Sequence, residues 1–393
     1  MEDKNITVPA EYFDICPISD KDFHNEMSIL VQEPAFQHII SLVLPEFKYS
    51  QLVRVLQSLN SKHDLQVKIM KPFIEGVLAK TSKGLTISGF ENVKKDVPNV
   101  FITNHRDIVL DSALLSYNLV SNGFEAAEIA IGNNLLIYDW INKLVRLNKC
   151  FIVKRNLGRL QTLAAAIQLS GYIHFVIKQK KDPVWIAQRE GRCKDSNDRT
   201  QESLLKMLSY GNRDKSFIES IKELNLSPVA ISYEYDPNDY LKAKEFLLKS
   251  KDPNFKKSPA DDLLSMQTGI MGYTGHIHYH AAQCIDAWLD TLDADMPKGE
   301  FFAAVARHID EQIFSRYRLY PNNFVALDEL SGTTEHAGCY TQHDKERFDA
   351  YIAGQLARID IPCKDEQYLR ERMLTMYANP ARNQLSLCGT TNQ

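Results

Sequence analysis

The most chemically loaded stretch of the 393-residue chain is Phe101-Ile-Thr-Asn-His-Arg-Asp-Ile-Val-Leu-Asp111, where an apolar run ends in a polar turn before a helical pattern resumes. A histidine followed two and six positions on by Asp107 and Asp111 suits proton abstraction: a carboxylate orients one ring nitrogen while the other takes a proton from a hydroxyl. The same residue types also describe a helix-capping cluster, with Asp107 or Asp111 at the cap. A second junction, Val184-Trp-Ile-Ala187 running into the loop from Gln188 to Thr200, gathers Arg189, Arg192, Lys194 and Arg199 beside Gly191. Cations next to a residue that permits close backbone approach suit a phosphate; the plainer alternative is a solvated loop paired with its own acids. Lys154 and Arg155 close a third apolar run, Cys150-Phe-Ile-Val153, and a fourth, Leu226 to Tyr233, ends in acidic turn residues. His276, His278 and His280 alternate, so a strand would present three imidazoles on one face, either as a zinc or iron site or as an ordinary polar face.

The elements that must position these groups read as an α/β sheet. Short apolar runs at Gly84 to Gly89, Val100 to Thr103, Glu128 to Ile131, Cys150 to Val153, Val184 to Ala187, Val229 to Tyr233 and Gly275 to His280 alternate with helical patterns near Asp111 to Asn122, Arg159 to Lys178 and within 202–224. That alternation predicts a central mixed or mostly parallel sheet covered by helices on both faces. In such sheets ligands gather beyond the carboxyl ends of the strands. Four helices are expected between Asp20 and Lys80, and a helix-rich segment after His280. The expected units are an N-terminal helical region, 1–83, a core domain, 84–285, and a helical C-terminal extension, 286–393. Trp140, Phe175 and Trp185 read as core or tunnel lining. The surfaces bearing Ile39, Ile40, Leu42 and Leu44, or Phe73, Val77 and Leu78, are expected to pack on the core or to dip into a bilayer surface.

Composition narrows the class. With 46 Lys and Arg against 50 Asp and Glu the formal charge is −4, which gives no general attraction to nucleic acid. The charge is unevenly placed: residues 143–222 hold 17 Lys and Arg against 7 Asp and Glu, a segment suited to an anionic partner. Seven scattered cysteines without a C-x-x-C pair argue against a zinc ribbon or disulfide framework and fit a reducing cytosol. The start of the chain lacks the pattern of a signal peptide, and no window reaches about 18 uninterrupted apolar residues, so membrane contact is expected to be peripheral.

Taken in order, four blocks resemble the glycerolipid acyltransferase superfamily, which includes lysophosphatidate and glycerol-3-phosphate acyltransferases. They are Asn104-His105 to Asp111, Phe151-Ile-Val-Lys-Arg155, Glu190-Gly191-Arg192 and Pro228-Val-Ala-Ile231. They are similar to that family's N-H-x4-D, F-I-x-R, E-G-x-R and P-V-x-I patterns over roughly residues 84–285, and closest to a bacterial 1-acylglycerol-3-phosphate acyltransferase subgroup. Two departures stand out. The family aspartate falls five positions after the histidine, where this chain has Leu110; a one-residue insertion restores Asp111, with Asp107 as the alternative. The third block has Gln188-Arg189 before Glu-Gly, which leaves open whether Arg189 or Arg192 meets phosphate.

The resemblance implies transfer of an acyl group from acyl-CoA or acyl carrier protein to a lysophospholipid or glycerol phosphate, in phospholipid biosynthesis and without metal or cofactor. His105 would act as base, with Asp111 or Asp107 as its partner. Backbone N–H groups at the helix start would stabilise the oxyanion. Asn104, Arg106, Lys154, Arg155, Arg189, Glu190, Gly191 and Arg192 would bind substrate. The expected location is the cytoplasm, peripheral on the inner face of the cytoplasmic membrane. Two rivals remain: a metal-dependent hydrolase built on His276, His278 and His280, and a noncatalytic lipid-binding protein in which His105 only caps a helix.

Overall fold

The computed structural model describes residues 6–43, 48–211 and 214–390. Its centre is a seven-stranded mixed sheet of β1 (Ser82–Ser88), β2 (Val100–Thr103), β3 (Glu128–Gly132), β4 (Cys150–Val153), β5 (Val184–Ala187), β6 (Leu226–Tyr233) and β7 (Gly275–Ala281). The spatial order is β1-β7-β6-β2-β5-β3-β4. β6, β2, β5, β3 and β4 run parallel, whereas β7 is antiparallel to β6 and carries β1 with it. The five parallel strands therefore deliver the turns after β2, β4, β5 and β6 to one edge.

Period-two alternation explains why these short runs become central strands. Val100 and Ile102 of β2 pack with Val184 and Ile186 of β5 in one buried cluster, while Phe101 and Trp185 point into the other. The first face is covered by Arg159–Lys180 and Lys298–Phe314, through Tyr172, Ile173, Phe301 and Ile309. The second is covered by Lys71–Thr81 and Leu110–Ser121, through Ile74, Leu114 and Leu119. Strands buried on both faces read as near-continuous apolar runs, which is why four-residue segments were sufficient signals.

The expected four N-terminal helices are Asp20–Leu30, Pro34–Val43, Tyr49–Gln57 and a run over 62–81 interrupted by a π-type turn at Gln66–Met70. Pro34 sits at the start of its helix, where its missing N–H has no intrahelical partner to lose. Leu44 and the side chain of Leu42 lie outside the described residues. Packing crosses the expected unit boundaries. Leu147 joins the cluster of Phe23, Met27 and Leu30, and Tyr235, Tyr240 and Leu247 join the C-terminal cluster of Val325, Phe348 and Tyr377.

Arg159–Lys180 is long and apolar enough to cross a membrane by length and composition. Leu169, Tyr172, Ile173, Val176 and Ile177 on this helix are nevertheless packed into the core. Among the described residues no cysteine forms a disulfide.

Candidate active site

At the end of β2 the chain leaves the sheet as Asn104-His105-Arg106-Asp107, and successive side chains point in different directions. Asn104 is fully buried and clasps β6: its Nδ2 donates to the Ile231 carbonyl at 2.9 Å, and its Oδ1 accepts from the Ile231 N–H at 2.8 Å. His105 faces the other way and lines a cavity of about 1710 Å³. Its Nδ1 lies 2.8 Å from Asp111 Oδ2, and its ring meets Trp185 edge-on at 5.6 Å between centroids. With Nδ1 committed to the carboxylate, Nε2 is the nitrogen left for a ligand.

Asp111, in the first turn of Leu110–Ser121, is fully buried. Oδ2 also accepts from the N–H groups of Arg106 (2.6 Å) and Asp107 (3.0 Å), and Oδ1 accepts from the Tyr233 hydroxyl at 3.0 Å. Burial, Tyr279 and the charge of Asp111 hold Tyr233 well above the ordinary phenol pKa, so it stays a donor. The structure pairs His105 with Asp111, six positions on. Asp107 instead caps the helix: its Oδ1 accepts from the N–H groups of Val109 and Leu110, each at 2.8 Å. Burial and the nearby Asp111 raise the Asp107 pKa, partly offset by the positive charge of Arg192.

Several expectations for this turn need correction. The N–H groups of Arg106, Asp107, Val109 and Leu110 are all taken by Asp107 or Asp111, so these four do not form an oxyanion hole. Asn104 and Arg106, expected to bind substrate, use their polar groups inside the fold. The Arg106 guanidinium makes a two-pronged pair with Asp198, Nη1 to Oδ1 at 2.7 Å and Nη2 to Oδ2 at 2.6 Å.

The cationic loops do converge on the cavity. Arg155, Arg189, Glu190, Gly191, Arg192 and Lys194 all line it, because β4 and β5 end at the same edge as β2. Nε of Arg189 and Nη1 of Arg192 are closed off from solvent and have no hydrogen-bond partner. Leaving a buried donor unsatisfied costs about 1–3 kcal/mol, so these are places for an acceptor-rich ligand. Gly191 adopts φ +69°, in the left-handed region that favours glycine. Arg155 is placed by Asn133 and Asn134 and lies over Gly132, where an added Cβ would come 2.9 Å from its guanidinium carbon. Glu190 is largely exposed, 3.5 Å from Arg155 Nε. Lys154 also lines the cavity, though its ammonium is engaged by Asp14 and Gln168. Lys194 pairs with Glu245, and burial pulls its pKa down to about 8.

Away from these charges the lining is mainly apolar. Leu30, Phe36, Ile39, Ile40 and Trp140 come from the N-terminal helices and their neighbour, Ile131 and Ile186 from the sheet, and Leu263 and Ile270 from Pro259–Met271. Ile39 and Ile40, expected to pack or to meet a bilayer, contribute to this lining.

His276, His278 and His280 do not converge on one point. Both ring nitrogens of His278 are engaged by Thr86 (2.8 Å) and Ser88 (2.9 Å), His280 Nδ1 lies 2.8 Å from Ser88 Oγ, and His276 stacks on Tyr320. Among the described residues no group of three His, Cys, Asp or Glu side chains is placed to hold a metal ion.

Fold and site together define an α/β domain with a His–Asp pair at the carboxyl edge of its sheet, opening on a largely apolar cavity with a cationic wall. The family model described as Acyltransferase matches residues 84–232, the stretch that contains all four blocks named above. A comparison with curated proteins finds no match. Among solved structures, the 1-acyl-sn-glycerophosphate (LPA) acyltransferase PlsC from Thermotoga maritima aligns over 75% of this chain and 97% of its own. Its identity is 13% and its TM-score 0.34, too distant a likeness to carry an argument.

Sequence reasoning missed Tyr233, Asp198 and Asn238 as partners of this turn. Tyr233 closes the fourth apolar run, Leu226 to Tyr233, so its position at a strand end beside the site was the available signal; Asp198 and Asn238 carried none.

Proposed function

We propose that the protein transfers a fatty acyl group from an acyl thioester, on coenzyme A or acyl carrier protein, to the hydroxyl of a lysophosphatidate-like acceptor. The observation behind this reading is that one cavity joins the His105–Asp111 pair, unpartnered guanidinium donors and an apolar lining. His105 Nε2 takes the proton of the acceptor hydroxyl, and Asp111 holds the tautomer and stabilises the imidazolium that forms. The acceptor oxygen bonds to the thioester carbonyl carbon, the carbon–sulfur bond breaks, and the proton passes from His105 to the leaving thiolate. Arg189 and Arg192 bind the acceptor phosphate, Arg155 supports it, and the apolar lining holds the chain.

The active surface meets the cytoplasmic membrane peripherally. Leu160, 85% exposed, and Leu163, 51% exposed, lie in the first turns of Arg159–Lys180, next to cavity-lining Leu157 and Thr162. Tyr138 and Leu264 are exposed residues of the cavity lining itself. Apolar side chains with Lys154, Arg155 and Arg159 nearby suit an anionic lipid surface.

The test is thiol release from acyl-CoA and acyl carrier protein, each offered lysophosphatidate and glycerol 3-phosphate. Acceptor-dependent release supports the reading, and the preferred pair names the substrates. Release with no phosphate acceptor, or none with any of the four pairs, overturns it.

A further inference from the structure

The peptide group between Arg106 and Asp107 is gripped at both ends. Its N–H donates to Asp111 Oδ2 at 3.0 Å, the same oxygen that orients His105, and its carbonyl accepts from Lys242 Nζ at 2.9 Å. Because the peptide is planar, fixing the carbonyl also fixes the direction of the N–H. Lys242 is only 2% exposed, and a buried ammonium needs strong partners. Besides that carbonyl it has Asp236, with which it forms an ion pair.

The links continue outward into the C-terminal helices. The Asp236 N–H donates to the Tyr377 hydroxyl at 3.1 Å, and that hydroxyl donates to Asp239 Oδ2 at 2.7 Å. Tyr351 and Gln355 bind the same Asp239 carboxylate. Asn238, between the two acids, donates to Asp107 Oδ2 at 3.0 Å. On the other side of the turn, Asp198 holds the Arg106 guanidinium and accepts from the Tyr317 hydroxyl, and Asn379 donates to the Asp195 carbonyl at 2.7 Å. The turn that carries His105 is thus held on two sides by side chains from 317–379, beyond the stretch that matches the family model.

We propose that the C-terminal segment is a brace for the His105 turn and that Lys242 is its positioning residue, acting through the Arg106–Asp107 peptide on Asp111. The proposal rests on the reading of His105 as base. A lysine with a purely structural role could be replaced, together with its counter-charge, by methionine and asparagine with no effect on turnover. This lysine instead transmits the position of the Tyr377–Asp236 contact to the histidine's partner.

The test uses the full-length chain and the double variant Lys242→Met/Asp236→Asn, which removes both charges and so leaves no lone buried ion. Two quantities are read: steady-state kinetics of thiol release, and the downfield proton resonance of His105 Nδ1. The brace predicts a folded variant whose kcat falls about tenfold or more while both KM values stay within threefold, with the His105 resonance shifted or broadened by exchange. A folded variant with unchanged kcat and an unchanged resonance overturns it, as does a loss confined to KM. If the double variant does not fold, Tyr377→Phe decides by the same readouts, since it removes one hydroxyl from the same chain of contacts. If the wild-type protein turns over no thioester, the base reading fails, and the resonance still reports on the brace.

Discussion

Replacing Asp111 by asparagine removes a charge while leaving the hydrogen-bond geometry almost intact. Three donors, His105 Nδ1 and the N–H groups of Arg106 and Asp107, point at Oδ2, and one hydroxyl, that of Tyr233, points at Oδ1. The asparagine oxygen therefore takes the Oδ2 position, and its NH2 group faces Tyr233, whose hydroxyl turns to accept. The histidine keeps its tautomer and loses only the charge that stabilises it once protonated. A hydrogen bond to a charged group contributes about 1.5–3 kcal/mol, which corresponds to a kcat reduced roughly 10- to 150-fold. Asp107→Asn is the matched control. Its oxygen still accepts from Val109 and Leu110, and its NH2 group finds the Asn238 Oδ1, which is buried without a partner, once that amide flips. It also removes a carboxylate whose ionisation burial already disfavours, so stability holds or rises. Thiol release measured at saturating donor and acceptor, with thermal unfolding alongside, compares the two. Wild-type kcat in Asp111→Asn, or a larger loss in Asp107→Asn, would refute the assignment of Asp111 as the partner of His105.

Three more outcomes follow from named contacts. Arg192→Ala removes a cavity guanidinium with an unpartnered N–H, so the acceptor KM should rise about 10- to 150-fold with a smaller change in kcat; an unchanged KM would place the phosphate elsewhere. Gly269 lies within Pro259–Met271, and an added Cβ would sit 2.0 Å from Asp107 Oδ2. Gly269→Ala should therefore cost about 1–3 kcal/mol in urea unfolding, although alanine is the better helix former, and a gain in stability would contradict this close approach. Burial raises the Asp310 pKa from 3.8 to about 6. Its neutral form is favoured by folding, so the stability it contributes is full below pH 3.8 and is lost as the pH rises through about 6. Asp310→Asn, whose oxygen still accepts from Thr200, should gain about 1 kcal/mol relative to wild type between pH 5 and pH 7.5; a parallel pH profile would contradict the shift.

The strands were legible because burial on both faces writes them as apolar runs. β2, β4 and β5 were read from the sequence with the bounds they have in the structure. Strand order was not legible, since nothing local in Gly275-His-Ile-His-Tyr-His280 says that β7 runs against β6 and inserts between it and β1. His105 and the cations around Gly191 could be found because each follows a strand that the sheet brings to one edge. Asn104 and Arg106 were misread because they flank the histidine in sequence, while alternation along an extended turn sends their side chains away from the cavity. Lys242 and Tyr317 were invisible for another reason. Their partners lie 136 and 119 residues away in the chain, and only the fold brings them together.

The proposed reaction depends on His105 removing the acceptor proton. The most direct test is His105→Ala in full-length protein, assayed for acceptor-dependent thiol release with circular dichroism and thermal unfolding as controls for folding. Loss of a general base at this position lowers kcat by about 10²–10⁴-fold with an unchanged fold. Turnover at the wild-type rate in that folded variant would contradict it.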